Sequence, residues 1–400
     1  MAEEKMRGVI LGVGANGRGA GMMHMGAWLK YPALRDVIDF VAVADINPQN
    51  LGPFMDSISG KASHEIRAYD LSGQGNLGMM FDDVRPDFVD ICTPPFTHRD
   101  LALTAADKGA HAILESPIEV TYGKALDICR AFGQAGRACA TMYEHRYDDG
   151  VVMLRKALEP SASGQNRFGA VEGVRAIVPW KRTREYYDAA DWRKSFARNG
   201  GGVMTNQGKH LMDMLVHLFG VPETVSAKGT RTVHTYIEGE DTMEARLGYP
   251  HGIQADFCCS TARQREEPES LEVRGEGGRC RVVLEGTSSR PKLWKFEPRY
   301  YPFDPPQNPI PEDEAAQGGA GDPFAVSRTG HARLMLNFYH HVRHGEPLRA
   351  TAESAADTTR VFNAVYESIA SGGNAVYVGG IVPDWKPDIP RIKEAIGQSV

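Results

Sequence analysis

The sequence has few cysteines, and they lack the spacing that cysteine chemistry requires. Six cysteines occur in 400 residues, none forms a Cys-x-x-Cys pair, and Cys258 and Cys259 are adjacent. Paired spacing is typical of zinc sites, and a dense even set is typical of small disulfide-bonded secreted domains. The pattern therefore predicts neither a zinc site nor a disulfide framework, and it favours a reducing compartment.

The sequence also lacks a basic excess and long apolar runs. The formal net charge is −6, whereas a nucleic-acid-binding surface needs clustered positive charge. No stretch approaches the roughly 20 apolar residues that span a bilayer. The first apolar run, Val9–Leu11, is too short for the core of a signal peptide. We therefore expect a cytoplasmic protein with no nucleic-acid or membrane partner.

Histidines occur twice at metal-like spacing, but without a recognised metal-binding pattern. The two groups are His210, Asp213, His217 and His340, His341, His344. Neither group forms His-Glu-x-x-His. His344 directly precedes Gly345, and a favourable charge at a helix C-terminus explains it. The sequence therefore predicts no metal site.

The first third of the sequence alternates short apolar runs with helical segments. Strands that are apolar on both faces and separated by helices are typical of a parallel sheet covered on each side. Since 400 residues exceed the usual size of one core, a second domain is expected. We predict a doubly wound α/β domain over residues 1–146, with strands at Val9–Leu11, Phe40–Ala44, Phe88–Cys92, Ala110–Leu114 and Ala138–Met142.

A glycine motif follows the first strand directly and opens a helix. It reads Gly12-Val-Gly14-Ala15-Asn16-Gly17. The first glycine permits a tight turn, the second lets backbone approach a pyrophosphate, and the third allows close packing of helix on strand. The helix N-terminus favours the phosphate charge. Because strand, glycines, helix and second strand occur in this order, the motif predicts a dinucleotide site.

The end of the second predicted strand indicates which dinucleotide binds. Asp45 stands there, where a carboxylate can hydrogen-bond the ribose 2′-hydroxyl and repel a 2′-phosphate. Ile46 and Asn47 follow, so no basic side chain is present to receive that phosphate. We predict NAD as the cofactor in preference to NADP. The alternative is a strand-end carboxylate that is only solvated.

The second part of the sequence, residues 147–400, reads as an α+β domain. Several predicted strands alternate apolar and polar residues, which suits an antiparallel sheet with one covered face. The strands are expected at Val171–Val178, Val225–Thr232, Thr242–Leu247, Ile253–Ser260, Ser270–Arg274 and Arg279–Leu284, and the helices at His210–Phe219, Ala332–His344 and Ala352–Ala370. Residues 286–324 are rich in proline and glycine, and we expect an irregular surface excursion, or alternatively a subunit arm or lid.

The motifs in their order resemble one enzyme family across nearly the whole chain. They are the glycine motif with Asp45, Thr93-Pro94-Pro95-Phe96-Thr97-His98, the segment 109–117, Tyr186-Tyr187 with Trp192-Arg193, and the segment 200–213. The set resembles the glucose–fructose oxidoreductase/inositol 2-dehydrogenase family (Gfo/Idh/MocA). The resemblance implies a Rossmann domain, a second domain with a large, mostly antiparallel sheet, and a nicotinamide held where the two meet. It also implies homodimers or homotetramers, and a cofactor site that includes Thr93, Pro94, His98, Glu115 and Ser116.

One motif departs from the family pattern. Similar proteins carry Glu-Lys-Pro, with the lysine taking part in catalysis, where this sequence has Glu115-Ser116-Pro117. The peptide bond before Pro117 is cis in many relatives, and it can be cis here. Ser116 can hydrogen-bond a hydroxyl but cannot donate a proton from a cation. Lys209 borders the catalytic face, and its amine either occupies part of the space of the missing lysine or points to solvent.

Two catalytic candidates, Asn206 and His210, lie four residues apart at the start of the predicted helix His210–Phe219. If the segment between them is helical, this spacing brings both side chains onto one face. By resemblance, His210 is the general acid/base, and its unperturbed pKa near working pH suits that role. Asn206 can orient a substrate hydroxyl. The alternative is a structural helix histidine.

Aromatic and cationic residues cluster before the catalytic helix. Aromatic faces beside hydroxyl and cationic donors suit a carbohydrate, and arginine forks would also hold a carboxylate or phosphate. The substrate candidates are His145, Arg182, Tyr187, Trp192 and Arg193. His145 closes the last strand of the first domain and lies near the cleft by resemblance. Trp192 and one tyrosine are alternatively core anchors.

The resemblance and the residues together predict an NAD-dependent dehydrogenase or reductase. It would transfer a hydride between nicotinamide and a carbon of a sugar, sugar acid or cyclitol. One alternative is a redox-neutral glycoside hydrolase or lyase that works by transient oxidation and elimination. A second alternative is a non-catalytic sensor of NAD or sugar.

Overall fold

Six short strands form a parallel sheet in the first part of the chain. The computed structural model describes residues 4–159, 169–283, 293–297, 308–311 and 328–397. The strands are β1 Met6–Leu11, β2 Ile38–Asp45, β3 Arg67–Asp70, β4 Phe88–Ile91, β5 His111–Leu114 and β6 Cys139–Thr141. Their order is β3-β2-β1-β4-β5-β6, and every neighbouring pair is parallel. The doubly wound domain predicted from the sequence is confirmed.

Helices cover this sheet, and the predicted strands reappear in it with one addition. The helices are α1 Ala20–Lys30, α2 Pro32–Arg35, α3 Leu51–Ile58, α4 Asn76–Val84, α5 His98–Asp107 and α6 Tyr122–Ala135. The sequence analysis missed β3, which lies at the edge of the sheet. Its residues alternate between half-buried and exposed, so it carries no continuous apolar run to predict it.

The second domain contains an eight-stranded mixed sheet. Its strands are β7 Val171–Pro179, β8 Thr224–Thr230, β9 Thr242–Gly248, β10 Gln254–Ser260, β11 Ser270–Gly275, β12 Gly278–Val283, β13 Leu293–Glu297 and β14 Val376–Tyr377. Their order is β13-β12-β11-β7-β10-β9-β8-β14. Only β7 and β10 pair in parallel within this described sheet, so the prediction of a large, mostly antiparallel sheet is confirmed.

The proline- and glycine-rich segment 286–324 contains regular structure that the sequence analysis did not anticipate. Strand β13 pairs antiparallel with β12, from Val283 opposite Leu293 to Arg279 opposite Glu297. The expectation of an irregular excursion was therefore wrong for these five residues, since pairing with a neighbouring strand outweighed the flanking composition. Residues 308–311 are also described, and the rest of the segment lies outside the described residues.

The remaining helices belong to two different cores. They are α7 Asp149–Leu158, α8 Arg184–Asp188, α9 Phe196–Asn199, α10 Val203–Asn206, α11 Lys209–Phe219, α12 Thr329–His344, α13 Ala352–Ala370 and α14 Ile389–Gly397. Helix α12 packs on the first core although it follows the second sheet in sequence: Leu334 and Phe338 lie among the first domain's buried residues. The boundary at 146/147 stays a prediction. None of the described helices is long and apolar enough to cross a membrane.

Truncation of Phe338 tests the return of α12 to the first core. The ring is fully buried, with its centroid 5.7 Å from that of Phe88. Phe338→Ala should lower the free energy of unfolding by about 3–5 kcal/mol, because it leaves a cavity in the first core. Urea unfolding measures this, and Met79→Ala, at a side chain 61% exposed, is the control. Equal, small effects of both changes would contradict the packing.

Candidate active site

The glycine turn after β1 is packed too closely against neighbouring protein atoms to admit a side chain. Gly12 has a φ of +94°, and a β-carbon there would lie 2.7 Å from Cγ2 of Thr93. Gly14 has a φ of +75°, and a β-carbon there would meet Gly19 at 2.5 Å. Glycine alone adopts this backbone without strain. The turn therefore has the tight, glycine-dependent backbone that the motif predicts, and its contact with a phosphate stays a prediction.

Asp45 organises this turn. Its Oδ2 accepts hydrogen bonds from the backbone N–H groups of Val13 at 2.8 Å and Gly14 at 3.3 Å. Its Oδ1 accepts from the N–H of Asn47 at 2.8 Å and the side chain of Asn50 at 3.2 Å. These four bonds match the carboxylate's acceptor sites. The ribose contact of Asp45 therefore stays a prediction, because the carboxylate here holds the loop itself.

The loop after β4 is held from behind by His98. This ring is fully buried, and its Nε2 and Nδ1 lie 2.8 Å and 3.1 Å from the carbonyl oxygens of Thr93 and Ile118. Burial lowers the pKa of His98. Thr93 is tied further by the hydroxyl of Thr97, which lies 2.7 Å from its own. His98 thus joins two loops of the predicted cofactor site from the interior.

The strand end at Glu115 and Ser116 meets the second domain. Glu115 Oε2 accepts from the Ser116 N–H at 2.8 Å, and the Ser116–Pro117 bond is cis. The Ser116 hydroxyl is buried and has no hydrogen-bond partner within the described ranges. Across the domain boundary, the ammonium of Lys209 donates to the Ser116 carbonyl oxygen. Of the two alternatives for Lys209, the structure shows its amine at the Ser116 strand end and not pointing to solvent, while its role in catalysis stays a prediction.

A buried ion pair fixes the helix that carries the catalytic candidates. Arg146, directly after the first domain, makes two bonds to Asp213 of α11, at 2.8 Å and 2.5 Å. Both side chains are almost fully buried, and Thr358 donates to the same carboxylate at 2.9 Å. A two-pronged arginine–carboxylate contact fixes orientation as well as distance. It sets α11, and with it position 210, against the first domain.

His210 lies among residues of the strand end after β6. Its ring centroid is 5.4 Å from that of His145 and 6.3 Å from that of Tyr143. Nδ1 lies 3.5 Å from Oε2 of Glu144, and the side chain is 17% exposed. Burial is the main cause that lowers the pKa of His210 to about 3. Lys209 and His145 lower it as well, and Glu144 opposes them. The ring is therefore neutral at working pH.

His145 is part of the same group and has a carboxylate behind it. Its Nδ1 lies 2.7 Å from Oδ2 of Asp148, and its Nε2 lies 3.4 Å from Oε1 of Glu269. The ring is almost fully buried. The structure therefore brings His145 and His210 together, as the sequence analysis expected of two cleft residues.

Asn206 is held by a tyrosine that the sequence analysis passed over. Its Oδ1 accepts from the Tyr186 hydroxyl at 3.1 Å, and its Nδ2 donates to Asn199 at 3.3 Å. Tyr187, the predicted substrate residue, is buried, and its hydroxyl lies 2.9 Å from that of Thr261. Of the adjacent tyrosines, Tyr186 therefore reaches the catalytic candidates, and Tyr187 packs in the interior.

The predicted arginines stack on aromatic rings beside Tyr186. The guanidinium of Arg193 lies 4.3 Å from the Tyr186 ring centroid and 5.5 Å from that of Trp192. Arg182 lies 5.2 Å from the same tyrosine and pairs with Glu266 at 3.0 Å. The structure therefore gathers these substrate candidates on one side of Asn206. Within the described residues, Arg182 pairs with a carboxylate, whereas Arg193 donates to the backbone carbonyl oxygen of Tyr186 at 2.8 Å.

Comparisons with known proteins identify the family. Residues 6–143 match the oxidoreductase family with an NAD-binding Rossmann fold, and residues 155–281 match the GFO/IDH/MocA C-terminal domain. The chain belongs to the Gfo/Idh/MocA family. Its first domain is therefore an NAD-binding Rossmann domain, and the chain is an oxidoreductase by family.

Individual relatives are distant. The chain is 28% identical to D-apiose dehydrogenase of Paraburkholderia graminis over 70% of this chain and 68% of that protein. It is 25% identical to 2,7-anhydro-N-acetylneuraminate hydratase of Escherichia coli, over 50% of this chain and 53% of that protein. Among solved structures, the WlbA dehydrogenase of Bordetella pertussis with NADH and UDP-GlcNAcA has a TM-score of 0.72 at 24% identity, covering 94% of this chain and 99% of that one. This last likeness shows the fold.

Three site residues could not be singled out from the sequence. Glu144 approaches His210, Tyr186 holds Asn206, and His24 contacts Glu115 at 3.0 Å. Glu144 and Tyr186 are each next to a residue that was predicted, so proximity in sequence was the available signal. His24 carried no signal, because its partners lie on strands far along the chain.

A side chain at position 12 tests the glycine turn. Gly12→Ala should raise the dissociation constant of NAD at least about tenfold, because the new methyl group strains the turn and clashes with Thr93. Isothermal titration with NAD measures this. Gly133→Ala, in a helix where a β-carbon meets nothing within 4 Å, is the control. Unchanged NAD affinity in Gly12→Ala would show that the turn is not the phosphate site.

Proposed function

We propose that this protein transfers a hydride between the nicotinamide of NAD and a hydroxyl-bearing carbon of a sugar, sugar acid or cyclitol. The observation that carries the proposal is the neutral imidazole of His210 beside Tyr143 and His145 of the NAD-binding domain. The D-apiose dehydrogenase relative supports the substrate class. The glycine turn, where any β-carbon would clash, supports the cofactor's place.

His210 acts as the acid/base in this proposal. Bound NAD supplies the hydride acceptor. In the oxidative direction His210 takes the hydroxyl proton while the carbon loses its hydride, so an alcohol becomes a ketone or aldehyde. Glu144, whose Oε2 lies 3.5 Å from Nδ1, favours the imidazolium that results. In the reductive direction His210 returns the proton to the new hydroxyl oxygen.

Lys209 and Asn206 orient the reacting group. The ammonium of Lys209 lies at the Ser116 carbonyl, and its positive charge favours the oxygen that gains negative character as the proton leaves. Asn206, held by Tyr186 at 3.1 Å, presents an amide to a neighbouring hydroxyl. Arg193, stacked on the same tyrosine, suits a substrate that carries a carboxylate.

A redox-neutral elimination is the second candidate function, and one observation favours it. His145, with Asp148 at 2.7 Å, places a second imidazole 5.4 Å from His210. After transient oxidation, such a base could remove the acidified proton from the adjacent carbon while a substituent departs, and the hydride would then return. The hydratase relative supports this class. Absorbance at 340 nm separates the two: the first yields net NADH, and the second yields product with none.

Replacement of His210 tests the acid/base assignment. His210→Asn should reduce kcat/KM for polyol oxidation by about 10²–10⁴, because no proton acceptor remains at the hydroxyl. NAD affinity should stay unchanged. Initial rates at 340 nm across a panel of sugars, sugar acids and cyclitols give the result. His217→Asn, on the same helix, is the matched control. Full activity in His210→Asn would remove the proposal.

Lys209 is tested separately by loss of its charge. Lys209→Met should reduce kcat about tenfold or more, because the developing oxyanion loses a cation. Lys209→Arg should recover part of that loss, and Lys108→Met on the surface should cost nothing. The measurement is kcat with the same panel. Activity that survives intact in Lys209→Met would exclude Lys209 from catalysis.

A further inference from the structure

A fully buried imidazole in α1, the helix that follows the glycine turn, lies between two carboxylates. His24 of α1 has no exposed surface. Its Nδ1 lies 2.8 Å from Oδ2 of Asp90, and its Nε2 lies 3.0 Å from Oε1 of Glu115. A neutral imidazole has one N–H donor, and only the imidazolium can donate to both carboxylates. The two contacts therefore indicate a charged ring.

The surrounding charges agree with this protonation state. Burial alone lowers the pKa of His24, but the negative charge of Asp90 and its hydrogen bond to the ring raise that pKa well above its ordinary value. The buried carboxylate of Asp90 beside the half-buried one of Glu115 would be costly without a cation. The ring is thus the cation that allows Asp90 and Glu115 to lie so close together.

Ion pairing explains the geometry better than a metal site does. His24 also stands with Cys92 and with His331 in groups of possible metal ligands. Both of its ring nitrogens, however, contact carboxylate oxygens at hydrogen-bond distance. A metal ligand needs a free nitrogen lone pair, and a ring that donates from both nitrogens has none.

Glu115 carries the effect of His24 across the domain boundary. Burial raises the pKa of Glu115, but His24, Lys209 and His331 together lower it well below its ordinary value. Its second oxygen accepts from the Ser116 N–H at 2.8 Å. The Ser116 carbonyl in turn accepts from Lys209. Charges therefore alternate from Asp90 through His24 and Glu115 to Lys209.

We propose that His24 is a positioning residue, which holds the Glu115 carboxylate in place and thereby sets the Lys209 ammonium at the end of β5. The inference rests on the proposed function, because Lys209 acts on substrate only within it. His24 itself is enclosed by protein and cannot touch substrate. In this proposal its influence on turnover passes through Glu115 to Lys209, whereas an effect of Glu115 on the cofactor would appear as a changed KM for NAD.

A double-mutant cycle tests this path. His24→Gln should lower kcat about tenfold with little change in KM for NAD, and it should cost nothing further in the Lys209→Met background. A merely structural histidine would lower kcat by the same factor in both backgrounds, and that additive result would overturn the inference. His64→Gln, at a half-buried histidine of the same domain that bonds a backbone carbonyl at 2.9 Å, is the matched control.

A second readout does not depend on turnover. Reductive methylation of the whole protein, followed by mass spectrometry, gives the rate at which Lys209 reacts. That rate reports how firmly the amine of Lys209 is held. It should rise several-fold in His24→Gln and stay constant in His64→Gln. An unchanged methylation rate in His24→Gln would overturn the inference, even if no substrate of the panel reacts. A raised methylation rate in a protein that turns over no substrate would contradict the proposed function but not the positioning of Lys209.

A further variant covers the case in which His24→Gln does not fold. Asp90→Asn keeps the shape of the side chain and contacts His24 at the nitrogen that faces away from Glu115. It removes the charge that favours the imidazolium. The same non-additivity with Lys209→Met is expected, and additive effects would count against the inference.

Discussion

The buried contact between Arg146 and Asp213 is the constraint on which the site depends. Two hydrogen bonds, at 2.8 Å and 2.5 Å, join the end of the NAD-binding domain to the helix that bears His210. Breaking such a pair would leave one buried charge uncompensated, at a cost of about 3–5 kcal/mol. The helix therefore has one stable orientation. Lys209 and His210 face the strand ends because Asp213 is fixed.

Local sequence patterns determined most of the fold. Apolar runs predicted five of the six strands of the first sheet, because strands buried on both faces leave a continuous signal. The edge strand β3 was not predicted, since its residues alternate between half-buried and exposed and form no apolar run. Strand β13 was not predicted, because its flanking prolines suggested irregular backbone. Its pairing with β12 is a contact that the five residues of β13 do not show by themselves.

The site was predictable only where its residues share a motif. His210 was assigned by resemblance, and Lys209 because it stands next to it. The helical continuity expected between Asn206 and His210 is not found, because α10 ends at Asn206 and α11 begins at Lys209. His24 and Glu115 are 91 positions apart, and no pattern connects them until the sheet is built. Tyr186 and Tyr187 are neighbours with the same side chain. Only the direction of the backbone decides that Tyr186 reaches Asn206 and Tyr187 reaches Thr261.

Two histidines show how the fold assigns opposite protonation states to one side chain. Burial lowers the pKa of both. At His24, Asp90 outweighs burial and keeps the ring charged. At His210, Lys209 and His145 reinforce burial, and Glu144 at 3.5 Å does not offset them, so the pKa falls to about 3. A charged imidazolium can hold a carboxylate but has no lone pair with which to accept a proton. A neutral imidazole has that lone pair. Under the proposed function, the charged ring holds Glu115 from the interior and the neutral ring faces the substrate.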